Sequence, residues 1–181
     1  RRDDAITALV SAGEILEQVR RDHPDVVICP SVISGFWRGR DRVASWDLQA
    51  PTDTQLAITA LRRAIDLWEK FVAECPTEAG FRMDLAALYI HSAELVASYF
   101  SYGGVSLPAG SMKTAEQHAL RAVELLDQLV REYPQAPQYR AGRVLAYRHS
   151  ALVSRALEDP ENAVRFEDFG LPVEKSLVDE F

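Results

Sequence analysis

The chain has 181 residues, with 20 Lys and Arg against 27 Asp and Glu, a net charge of −7 and 48% apolar residues. That apolar fraction excludes a chain disordered throughout, and the length allows one domain or two small ones. No run approaches the roughly 20 apolar residues of a bilayer span, and net acidity argues against nucleic acid as a main partner.

The acidity belongs to the tail. From Glu158 onward eight acids stand against two bases, while the residues before it nearly balance. Cys29 and Cys75 are too few for a disulfide framework and are expected as small buried side chains beside Pro30 and Pro76. With a charged start, Arg1-Arg2-Asp3-Asp4, and no apolar stretch behind it, a cytoplasmic location is expected. The absence of an initiator Met suggests a processed start or an excised piece of a longer protein.

Six helices are predicted in chain order: Asp3–Arg21, Ser31–Trp46, Asp53–Glu74, Thr77–Tyr102, Ser111–Glu132 and Ala136–Glu158. No run shows sustained strand alternation; Val26-Val27-Ile28 is the one short β-like stretch and is taken as a connector. Thr52-Asp53, Thr77 and Ser111 are N-cap candidates, because their side-chain oxygens can accept free N–H groups of a first turn. Gly103-Gly104 is a natural stop after Tyr102, and Gly103–Gly110 reads as a loop. The domain is expected over 3–158. Residues 159–181 form an acidic tail or capping segment, which either packs as a short helix over the last helices or docks elsewhere.

The chain contains an internal repeat. Ala5-Ile6-Thr7-Ala8-Leu9 recurs as Ala57-Ile58-Thr59-Ala60-Leu61. Ala12, Leu16, Val19 and Pro24 match Ala64, Trp68, Phe71 and Pro76, and again Ala122, Leu126, Leu129 and Pro134. The first three of each set share a helix face, and the small residue lets a neighbouring helix approach. The proline ends the helix, because it lacks an N–H and its ring obstructs the preceding turn. A second helix follows each proline. Phe81-Arg82, Tyr89 and His91-Ser92 recur as Tyr139-Arg140, Tyr147 and His149-Ser150.

This small–large–apolar–proline spacing resembles the second helix of a tetratricopeptide repeat (TPR), and Leu85, Ala86 and Tyr89 resemble the first helix of the next. Arg143 stands where the family usually has an apolar residue. The prolines lie 52 and 58 residues apart, against a family period of 34. The phrase Pro-x-x-x-x-(Phe/Tyr)-Arg is similar to arrays that follow serine/threonine kinase domains in some bacteria. The resemblance implies an all-α fold, a short right-handed TPR-like α-solenoid of antiparallel helix pairs with about six helices. It implies a protein–protein interaction scaffold, part of a larger bacterial signalling protein, that takes a peptide or partner domain in a groove. A cis-regulatory segment of a serine/threonine kinase or transcription regulator is one alternative. An α-helical small-molecule sensor or enzyme is another.

Arg82, Arg140, Arg143, Tyr147, Arg148 and Arg155 are the candidate partner-binding residues. Arg140, Arg148 and Arg155 fall within about 80° of one another on a helix. They suit a carboxylate or phosphate, because the planar guanidinium offers paired donors. The same arginines could instead pair with Glu124, Asp127 or Glu132, or with the acidic tail. His91 and Glu94 share a helix face, but Glu-x-x-His pairs and Cys/His zinc spacing are absent, so no metal and no cofactor are expected. Without a phosphate loop or nucleophile motif, no enzyme activity is expected. A protein or peptide partner is expected, with no nucleic acid and no membrane; the sequence leaves the oligomeric state open.

Overall fold

In a computed structural model the structure describes residues 11, 15, 18, 22, 51–102, 107 and 109–180. All secondary structure among the described residues is helical. Five helices have defined bounds: α1 (Pro51–Glu74), α2 (Ala79–Tyr102), α3 (Ser111–Glu132), α4 (Pro137–Ala156) and α5 (Pro160–Glu180). The expected helix Ser31–Trp46 and the Val26–Ile28 connector lie outside the described residues. Of Asp3–Arg21, only Ser11, Ile15 and Gln18 are described. They and Asp22 are helical and exposed, and Gln18 Nε2 donates to the Asp22 carboxylate at 2.8 and 2.9 Å.

The chain divides into two compact units, Arg1–Leu67 and Trp68–Phe181. In the first, Leu61, Ala64, Ile65 and Leu67 are buried. In the second, α2 packs on α3 and α4, α3 on α4, and α4 on α5. The expected boundary at 158/159 falls at the α4–α5 turn, inside this second unit.

Two helix-to-helix turns, 58 residues apart, are built alike. Cys75 N–H donates to Phe71 O at 2.8 Å, and Tyr133 N–H to Leu129 O at 2.8 Å. Glu78 N–H donates to Cys75 O at 3.1 Å, and Ala136 N–H to Tyr133 O at 3.1 Å. Pro76 and Pro134 sit inside these turns, where a missing N–H removes nothing from a helix. The residues that match in sequence also match in burial. Trp68 and Leu126 are fully enclosed, as is Leu129, while its counterpart Phe71 is buried edge-on to Trp68 at 5.5 Å.

Small residues set the seam among α2, α3 and α4. Ala93, Val96 and Ala97 from α2 meet Ala115 and Ala119 from α3 and Val153 from α4. Gly142 serves the same end: a Cβ there would lie 2.9 Å from Leu126 Cδ2 and 3.1 Å from Met83 Cε. Short side chains let helix axes approach and leave little void, which is how a core reaches native density.

Helix ends differ from expectation in informative ways. α1 begins at Pro51, so Thr52-Asp53 lies within its first turn rather than before it. α2 begins at Ala79, leaving Thr77 in the preceding turn. The residue before α3 is Gly110, at φ 81°, and Ser111 is already helical. That left-handed conformation suits glycine, which has no Cβ to clash. α4 ends at Ala156, not Glu158; Glu158 turns left-handed at φ 59°.

Residues 160–180 form a full helix on α4. Asp159 caps it, accepting the Asn162 N–H at 3.1 Å and the Asn162 Nδ2 at 2.7 Å. Pro160 occupies the first turn, where proline is favoured. Pro172 lies inside the helix, and Gly170 is buried with its Cβ position 3.4 Å from Tyr147 Cβ.

Candidate functional site

Each predicted site residue occupies a distinct environment. Arg82 is buried at 7% exposure and ties α2 to α3. Its two terminal nitrogens donate to the two Glu132 carboxylate oxygens at 2.7 and 2.5 Å. The paired geometry raises the guanidinium pKa and holds Glu132 below the ordinary carboxylate range. Arg143 meets Asp127 of α3 at 3.5 Å. Arg155 pairs with Glu167 of α5. Arg140 is half-buried at the start of α4, and Arg148 is exposed.

Tyr147 is a joint between three helices. Its hydroxyl donates to the Asp127 carboxylate of α3 at 3.2 Å, and its ring lies 6.5 Å from Phe166 and 5.9 Å from Phe169 of α5. Tyr89 does the same work 58 residues earlier. Its hydroxyl donates to Glu69 of α1 at 2.5 Å, and its ring lies 5.0 Å from His118 of α3. Both acids precede their tyrosine by 20 residues. That pair of pairs was present in the sequence, but only the fold shows that it clamps each helix between its two neighbours. His118 Nδ1 also shares a 2.8 Å hydrogen bond with Ser92 Oγ.

Arg82, Arg143, Arg155 and Tyr147 are thus engaged within the chain, and the α3 acids and the acidic tail supply their partners. A different group comes together. Met83 meets Gly142, and farther along both helices Glu94 and His91 of α2 lie within electrostatic reach of His149 of α4. The two helices therefore run side by side in the same direction. Along this shared side Ala87, His91, Glu94 and Ser98 of α2 remain at least partly exposed. On α4, Leu145, Arg148, His149 and Leu152 are also at least partly exposed, with Leu145 at 45% exposure.

His91 Nδ1 lies 3.6 Å from Glu94 Oε2. The His91 contact, followed by the charge of His149, holds Glu94 below the ordinary carboxylate range. Burial pushes the His149 pKa down; Glu94 opposes that shift, while Arg148 and His91 reinforce it. His149 Nδ1 is enclosed with no hydrogen-bond partner. The sequence marked His91 and His149 as equivalent positions but gave no sign that they lie within electrostatic reach of one another. Among the described residues, no group of three or more His, Cys, Asp or Glu side chains is arranged to hold a metal ion.

Asp84, a position not singled out from the sequence, has a carboxyl pushed up to about 6 by burial. Its folded-state value lies above the unfolded 3.8, so its stabilising contribution is complete below pH 3.8 and lost as pH rises through about 6. Asp84→Asn is expected to raise stability at pH 7 by about 1 kcal/mol, allowing for solvent screening of a part-exposed group. The gain should vanish near pH 4. Urea midpoints at both pH values check this, and an equal gain at both would remove the carboxyl as its source.

No family model, curated protein or solved structure matches this chain. No helix among the described residues is long and apolar enough to cross a membrane.

Proposed function

We propose that this chain is a protein–protein interaction scaffold of TPR-like helix pairs, which takes a peptide or partner domain along the side shared by α2 and α4. The observation that carries this reading is the duplicated architecture. Two turns have the same hydrogen bonds, and two tyrosines each tie one helix to the helix before and the helix after. Stacked helix pairs of this kind leave one helix of each pair with an outward side, and neighbouring outward sides form a continuous surface. Here that surface mixes an exposed leucine, an arginine and a histidine–glutamate pair, a composition suited to recognising another polypeptide. Its placement in a larger bacterial signalling protein rests on the sequence resemblance alone.

The test is capture of partners from an extract of the cells of origin, with wild-type chain and a Leu145→Glu/Arg148→Glu variant. Both positions are exposed, so the variant is expected to keep its helical circular dichroism and its melting temperature. A partner held by wild type and lost by the variant is the expected result. An identical captured set from both would remove this surface as the docking site.

A further inference from the structure

We propose that the surface shared by α2 and α4 is selective for an acidic peptide segment, whose carboxylate docks at Arg148 while the adjacent His149 imidazole takes up a proton. This deepens the scaffold reading and rests on it.

Three features point to this partner. Arg148, one residue before His149, is an exposed cation. The candidate arginines Arg82, Arg143 and Arg155 are already matched by Glu132, Asp127 and Glu167. Glu94, whose charge acts on His149, is engaged by His91. His149, next in sequence to Arg148, has a buried ring nitrogen with no hydrogen-bond partner.

The charges that act on His149 are Glu94 and His91 of α2 and Arg148 of its own helix. Glu94 favours its protonation, and Arg148 and His91 oppose it. A carboxylate placed on Arg148 offsets its positive charge and so removes much of that opposition. Binding and proton uptake then favour each other, by linkage. Because burial holds His149 below the ordinary histidine range, the free surface carries it neutral at pH 7. Lowering the pH raises the charged fraction of His149, while peptide carboxylates, with pKa near 4, stay ionised. Affinity for an acidic segment should therefore rise as pH falls, by at most about tenfold per pH unit for one proton.

The experiment selects random 12-residue peptides displayed on phage against the intact chain at pH 5.5 and pH 7.5. Enriched peptides are then synthesised and titrated calorimetrically. The expected result is an excess of Asp and Glu in peptides selected at pH 5.5, with binding at least fivefold tighter there than at pH 7.5. His149→Asn should flatten the pH dependence. Arg148→Gln should weaken binding at both pH values. The His149 ring titration, followed by NMR in wild-type protein, should move to higher pH on adding peptide, which keeps the test intact if His149→Asn fails to fold. Enriched peptides without acidic excess, or with pH-independent binding, would overturn the inference and leave the scaffold reading standing. No enrichment at either pH would remove both.

Discussion

Leu126→Ala is expected to lower stability by about 2–5 kcal/mol, through lost burial plus the cavity left behind. Leu126 is fully enclosed, and its Cδ2 reaches the point where Gly142 lacks a Cβ. That contact makes the cost depend on position 142. In the wild-type background Gly142→Ala gains helix propensity, about 1 kcal/mol, and loses much of it to a methyl 2.9 Å from Leu126 and 3.1 Å from Met83. With Leu126 shortened, the obstruction from Leu126 is gone and the new methyl enters the cavity. The double variant should therefore be more stable than the sum of the single changes predicts, by about 1–2 kcal/mol. Urea unfolding of the four proteins measures this. Additivity within about 0.5 kcal/mol would mean that the helices move apart to admit the methyl, and that Gly142 is not needed for their close approach.

Tyr147→Ala should cost about 3 kcal/mol, with most of the loss felt by α5. The ring packs between Asp127 on one side and Phe166 and Phe169 on the other, and Gly170 approaches its Cβ. Tyr147→Phe keeps the ring and removes only a long hydrogen bond, so about 0.5–1 kcal/mol is expected. Amide exchange by mass spectrometry separates the two. In Tyr147→Ala, α5 should lose protection while α2 and α3 keep theirs; in Tyr147→Phe the pattern should stay close to wild type. Equal loss across all helices in Tyr147→Ala would show that α5 does not open as a separate unit.

Much of the architecture was legible before any coordinates. The alanine–large–apolar–proline spacing identified α1 and α3, because burial on one face of a 3.6-residue helix and a proline stop are both local properties. Arg140 and Tyr147 were placed as mates of Arg82 and Tyr89 by the same spacing. α5 was harder. Its Gly170 and Pro172 oppose helix locally, and the contacts that favour it, with Tyr147 and Arg155, come from another helix. The cap that Asp159 supplies became visible only in the structure, and a cap marks a start without fixing a length.

The sequence by itself determined the helical class of the described residues, the 58-residue duplication and where the turns fall, since these follow from periodicity and backbone chemistry within single segments. The tertiary structure alone decided which charges meet. Arg82 finds Glu132 fifty residues away, Arg155 finds Glu167 across a turn, and His149 comes within electrostatic reach of His91 and Glu94 on a neighbouring helix. An arginine's sequence neighbours do not reveal whether an acid waits on the next helix, because that depends on helix direction and spacing. Those in turn are set by small residues such as Gly142 and Ala119 packed out of sight in the seam.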